Sequence, residues 1–182
     1  YDVERTILVK HAPFPYSLPI NMPAPKWLYL SSMGENSIDY HHEIAQYLKD
    51  HSETKLAFQP GTFQLGFGTE IAELYKVTEV VCMNKEEAEQ LLGKEGVSVQ
   101  ELMDGLGAMG PKTVIVTDGP HGAYMKYENT YFSMPLYPDI APPLERTGAG
   151  DAPQGPGNRP AAGSRAGAPA RSEERRVGKE CF

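Results

Sequence analysis

The residues best equipped for chemistry lie in one short stretch, Leu144-Glu145-Arg146-Thr147-Gly148-Ala149-Gly150-Asp151-Ala152. Two glycines bracket a single alanine, so backbone N–H groups there can converge on an anion without interference from a Cβ. A helix starting at this point would add its free N–H groups and the positive end of its dipole, both favourable to phosphate. A carboxylate in the same place is repelled by a bound phosphate unless it has a second task. That task is to accept the proton of a hydroxyl that attacks the phosphorus. The combination is the chemistry of a small-molecule kinase. Without that chemistry, the same residues are a Gly-rich turn that caps a helix, with Asp151 in its first turn.

Two more segments combine polar residues with turn geometry. Asn84-Lys85-Glu86-Glu87 follows an apolar run and opens a helical pattern. Asn84 can cap that helix, and Glu87, three residues on, can complete a reciprocal capping pair. Thr117-Asp118-Gly119-Pro120-His121-Gly122-Ala123 leaves the clearest strand of the chain through a Gly-rich turn, which on local grounds is a strand-to-strand connection. His121 reads as a solvated turn residue.

Taken together, these segments resemble the ribokinase/PfkB carbohydrate-kinase family, whose late signature runs Asp-Thr-x-Gly-Ala-Gly-Asp-Ala-Phe. Thr147 through Ala152 match it, Glu145 and Arg146 stand where the family has Asp and Thr, and Pro153 replaces Phe. The resemblance implies that Asp151 is the catalytic base and that the backbone of Gly148, Ala149 and Gly150 forms the anion hole. It implies that Asn84 and Glu87, as an Asn-x-x-Glu motif, position Mg²⁺ and phosphate, largely through water. Mg²⁺ keeps several waters and takes oxygen ligands, so one amide and one carboxylate suffice. It also implies that Thr117, Gly119 and Thr147 contact the nucleotide, with Gly122 turning the chain back. ATP and Mg²⁺ are the implied cofactors, and a sugar or sugar-like molecule is the acceptor. The altered Glu145-Arg146 pair leaves a second reading open, a non-catalytic nucleotide-binding or regulatory α/β module.

The elements that must carry these motifs alternate between strand and helix. Residues 5–10, 27–30, 55–58, 77–83 and 113–117 are β-rich runs, and 38–48, 69–74, 85–92 and 99–109 have helical spacing. Ser37 is placed to cap the first helix and Gly93 to end the one that starts at Lys85. Residues 59–62 (Gln-Pro-Gly-Thr) read as a turn, and 123–127 with 131–134 as a hairpin. Such alternation predicts an α/β fold: a ribokinase-like, doubly wound, mostly parallel sheet with helices on both faces, truncated at both ends. Ligands of these sheets bind at the carboxyl ends of the strands, where all three motifs fall.

Composition narrows the function further. The 182 residues carry a formal charge of -7, yet residues 152–182 hold six Lys/Arg and three Asp/Glu, leaving about -10 on the rest. An acidic body does not form a nucleic-acid groove, which needs clustered Lys/Arg. No apolar run approaches the ~18 residues of a membrane span. The two cysteines make no disulfide framework or zinc pattern, which favours a cytoplasmic setting. Gly105-Leu106-Gly107-Ala108-Met109-Gly110 has the letters of a dinucleotide fingerprint, but it ends a helical pattern instead of opening one. Adjacent His41 and His42 point about 100° apart on a helix and do not chelate one ion.

After Ala152 the chain changes character. Residues 153–170 contain only Pro, Gln, Gly, Asn, Arg, Ala and Ser, with nothing to bury in exchange for ordering. Residues 171–181 resemble the translation of a sequencing-adapter oligonucleotide. The expected organisation is therefore a partial kinase domain over 1–152 and a non-native, disordered tail over 153–182, produced by a frameshift near codon 153. The chain starts without Met, a hint of a fragment, and because both the sugar-binding start and the final packing helices of the family are missing, the fragment itself is expected to be inactive.

Overall fold

A computed structural model describes residues 14–19 and 21–136 of the chain. The run at 5–10, the Thr147–Asp151 motif and the tail beyond residue 152 lie outside the described residues. Eleven main elements follow one another: β1 (Trp27–Leu30), α1 (Ile38–Asp50), β2 (Lys55–Phe58), α2 (Thr62–Phe67), α3 (Ala72–Lys76), β3 (Val80–Asn84), α4 (Lys85–Leu92), α5 (Val99–Ala108), β4 (Thr113–Thr117), β5 (Ala123–Tyr127) and β6 (Thr130–Met134). The six strands form one sheet in chain order. Strands β1 to β4 are parallel, and the β5–β6 hairpin continues the sheet antiparallel.

Register shows where the core lies. Leu30, Phe58, Val81 and Val114 stand side by side across four strands. All four belong to the same buried cluster as Leu56, Met83 and Val116, packed against Ile44 and Leu48 of α1, Leu74 of α3 and Leu102 and Leu106 of α5. Each such side chain contributes roughly 1.5–3 kcal/mol by leaving water. Successive strand residues face opposite ways, so α1, α3 and α5 cover the face that these residues share. Strand order explains this: β1 to β4 follow chain order, and right-handed crossovers stepping in one direction place their helices on one side.

Local signals account for most element ends. Gly93 adopts the left-handed conformation that closes α4, and Ser98 caps α5 by accepting the Glu101 N–H at 3.2 Å. Glu128, with φ of 52°, turns the β5–β6 hairpin. The chain differs from the sequence expectation at two places. Ser37 precedes α1, but its hydroxyl donates to the Gly34 carbonyl at 2.6 Å and makes no cap hydrogen bond. Residues 59–62 are only the entry to a further helix, α2, because Gln64 reaches back to accept the Gly61 N–H at 3.0 Å. The glycine-bearing segment at 105–110 runs through the last turns of α5, consistent with its exclusion as a cofactor loop. Among the described residues no helix is long and apolar enough to cross a membrane.

Candidate active site at the carboxyl edge of the sheet

Parallel strands β3 and β4 end together. Asn84 and Thr117 are register partners, and Thr117 in turn pairs with Ala123 of β5. The last residues of both strands therefore open onto one edge, and the segments beginning at Asn84 and Thr117 leave it next to each other.

Asn84 is the N-cap of α4. Its side-chain oxygen accepts the Glu87 N–H at 2.7 Å, and Glu87 Oε2 accepts the Asn84 N–H at 2.9 Å. This reciprocal box satisfies two N–H groups that the first helical turn leaves open. Burial pushes the Glu87 carboxyl up from its ordinary value, the hydrogen bond from the Asn84 N–H opposes that shift, and neighbouring Glu86 adds to it. A half-buried carboxylate in this state gains from a nearby cation. One Glu87 oxygen remains outside the capping box, and the Asn84 side chain is exposed. Among the described residues no group of three or more His, Cys, Asp or Glu side chains could cage a metal. The Asn84 and Glu87 side chains offer the oxygen donors that Mg²⁺ takes while keeping several of its own waters.

The segment after β4 is a compact loop. Asp118 is followed by a 3-10 turn over Gly119–His121, closed by hydrogen bonds from the His121 N–H to the Asp118 carbonyl (2.8 Å) and from the Asp118 N–H to the Gly122 carbonyl (2.8 Å). Gly122 has φ of 98°, and a Cβ there would overlap the carbonyl oxygen of Met134. No other residue fits that position. Gly119 has φ of 45° but faces open space, so its backbone is free to approach a ligand. Thr117, Gly119 and Gly122 are thus brought beside Asn84 and Glu87, whereas Thr147, Gly148, Ala149, Gly150 and Asp151 lie outside the described residues.

Two features of this edge have no local signature. Lys85 and His121 both face Asp118, at 3.9 and 3.3 Å from Oδ2. Opposite charges one step beyond two strand ends were the available signal, but it means nothing until the register is known. At the ends of β1 and β2, the wholly buried Gln64 joins two loops. Its oxygen accepts the Gly61 N–H (3.0 Å) and the Met33 N–H (3.3 Å), and its nitrogen donates to the Met33 carbonyl (3.2 Å) and Ser37 Oγ (3.3 Å). Nearby, buried His41 donates from Nδ1 to the Ser37 carbonyl at 2.6 Å, while its Nε2 has no partner among the described residues.

The profile of the pfkB family carbohydrate kinase matches residues 24–155. The chain belongs to this family. Solved structures with the same fold include a ribokinase from Giardia lamblia, 19% identical with a TM-score of 0.56, matched over 69% of this chain and 40% of that one. A nucleoside kinase from Burkholderia thailandensis in complex with inosine is 21% identical with a TM-score of 0.54, over 72% and 41% of the two chains. An aminoimidazole riboside kinase from Salmonella enterica is 23% identical with a TM-score of 0.52, over 69% and 44%. The pfkB chain described here therefore spans only about two fifths of the length of these kinases. Comparison with curated protein sequences finds no match.

Proposed function

We propose that this chain is part of an ATP-dependent kinase of the cytoplasm that phosphorylates a hydroxyl of a sugar or sugar-like small molecule. The supporting observation is the register of Asn84 with Thr117, which sets the Asn-x-x-Glu and Thr-x-Gly-x-x-Gly motifs on one sheet edge in a chain of the pfkB family. A second observation agrees with it. Strand β6 ends at Met134, in register with Ala123, so the chain leaves the sheet at this same edge thirteen residues before Thr147.

In this reading Asp151 takes the proton of the acceptor hydroxyl as its oxygen bonds to the γ-phosphorus and ADP departs. The amides of Gly148, Ala149 and Gly150 stabilise the charge that develops on the transferring group. Thr117, Gly119 and Thr147 hold the nucleotide, and Gly122 fixes the loop that presents Gly119. Asn84 and Glu87 would hold Mg²⁺ through water, and the ion supplies neutralisation of phosphate charge. Because the chain spans two fifths of the solved kinases, it is not expected to turn over by itself.

The test is Asp151→Asn in a protein carrying the complete kinase domain. Base catalysis is worth about 10²–10⁴-fold, so turnover should fall by at least that range while ATP affinity is kept. A variant with most of its turnover would remove Asp151 from the mechanism. The departure at Glu145-Arg146 favours one other reading, a nucleotide-binding module without turnover. Phosphoryl transfer from ATP to any of a panel of sugars by the complete protein excludes it.

A further inference from the structure

The two motifs at the sheet edge carry opposite charges at their variable positions. Lys85 follows Asn84 and Asp118 follows Thr117, and the register of those two strand ends sets the pair face to face. Asp118 is the centre of a small cluster, with Lys85 Nζ on one side at 3.9 Å and His121 Nδ1 on the other at 3.3 Å. Its side chain is 21% exposed, that of Lys85 33% and that of His121 69%. The backbone of Asp118 also closes the loop, donating to Gly122 and accepting from His121. One residue thus ties the loop to itself through its backbone and to the first turn of α4 through its carboxylate.

We propose that Asp118 is a positioning residue, a latch that holds the 119–122 loop against the first turn of α4 through Lys85. The loop and the Asn84–Glu87 turn then move as one unit. The latch matters because Gly119 is an exposed corner of the loop with a positive φ and open space where a Cβ would stand. The consequence for a nucleotide rests on the kinase reading above; the latch itself does not. With Asp118 in place, the nucleotide-facing loop and the metal-facing turn favour one separation before any ligand arrives, held by a contact weak enough to yield, which reduces the ordering needed on binding.

Substituting the carboxylate leaves both backbone hydrogen bonds of residue 118 available, so the latch can be opened without deleting the loop. Amide hydrogen exchange at His121 and Gly122 is read in the ligand-free 182-residue chain for wild type, Asp118→Asn, Lys85→Met, the double variant and the charge swap K85D/D118K. A partly exposed ion pair sets the scale: exchange should quicken about two- to five-fold in each single variant. It should rise no further in the double variant and return toward wild type in the swap. Unchanged exchange in the single variants, additive effects in the double, or a swap no better than the singles would each overturn the latch. Calorimetric titration with MgATP gives an independent readout. The latch predicts binding weakened by a similar factor in Asp118→Asn, whereas tighter binding, as expected if Asp118 merely repels phosphate, overturns it. A wild-type chain that fails to bind MgATP counts against the nucleotide site, while the exchange data still decide the latch.

Discussion

Two pairs of loops leave the same edge of one sheet and are joined by opposite means. At the ends of β1 and β2 a wholly buried amide, Gln64, makes four neutral hydrogen bonds to the partner loop, to Ser37 and to its own helix entry. At the ends of β3 and β4 a partly exposed ion pair, Lys85 with Asp118, spans the gap. The first connection is shielded from water, so breaking it strands buried donors and acceptors. The second is solvated, screened by salt and individually weak. One half of the edge is therefore built as a fixed wall, and the half that carries the candidate nucleotide and metal residues is built to adjust.

The largest effect should come from opening the wall. Gln64→Leu keeps the side chain's bulk but leaves the Gly61 and Met33 N–H groups and the Met33 carbonyl without their partner. With about 1–3 kcal/mol for each buried group left unsatisfied and partial relaxation, stability should fall by about 3 kcal/mol in urea denaturation. A loss below about 0.5 kcal/mol would show that the two halves of the edge are not different in kind. Next comes Gly122→Ala on the adjustable side, where strain and overlap with Met134 act on one backbone position. Its expected cost is about 2 kcal/mol, against about 1 kcal/mol for Gly119→Ala, which meets open space. Equal costs would mean that the Met134 contact does not hold the loop.

The wall also has a pH dependence of its own. Burial among Phe58 and Phe67 lowers the His41 imidazole below its ordinary value, the hydrogen bond to Ser37 opposes that shift, and His42 reinforces it. The unfolded chain then binds a proton more readily than the folded one, so stability is full above about pH 6.5 and declines as pH falls toward the folded-state value. Glu73, held down to about 2 by Lys49 and Lys76, acts in a separate and more acidic window. The unfolding free energy in urea should be lower at pH 5.5 than at pH 7.5 in the wild type, and the two should converge in His41→Gln. An unchanged difference in that variant would assign the dependence elsewhere.

What the sequence made legible follows from how local each signal is. Strand β4, the β5–β6 hairpin and helices α4 and α5 are announced by alternation, turn residues and caps that lie within a few positions of one another. Helix α2 escaped because Pro60-Gly61 reads as a complete turn, while the residue that makes it a helix entry, Gln64, draws its other partners from Met33 and Ser37, about thirty positions back. Asn84, Glu87, Thr117 and Gly119 were recognisable as motif residues, but their adjacency depends on the β3–β4 register. Lys85 and Asp118 were individually unremarkable for the same reason. Ser37 looked like a cap because Ser before a helix usually is one; a buried carbonyl at Gly34 claimed its hydroxyl instead.

The smallest predicted effect is the one that separates capping from metal positioning at Asn84 and Glu87. Glu87→Gln keeps an oxygen that can accept the Asn84 N–H, so the capping box survives. It removes a charge that is already disfavoured by burial. The sign can be worked out: a carboxyl whose folded-state value is raised contributes stability below its unfolded value and loses it as pH rises, so at neutral pH the native carboxylate is a slight liability. Stability of Glu87→Gln at pH 7.5 should therefore lie within about 0.5 kcal/mol of wild type, with any change tending upward. If Glu87 only caps the helix, a complete kinase bearing this substitution should also keep its Mg²⁺ requirement unchanged. If its charge helps hold the hydrated ion, the Mg²⁺ concentration needed for half-maximal phosphoryl transfer should rise several-fold while the fold is untouched. A marked loss of stability would instead make the carboxylate a structural element, and the adjustable half of the edge would then resemble the wall beside it.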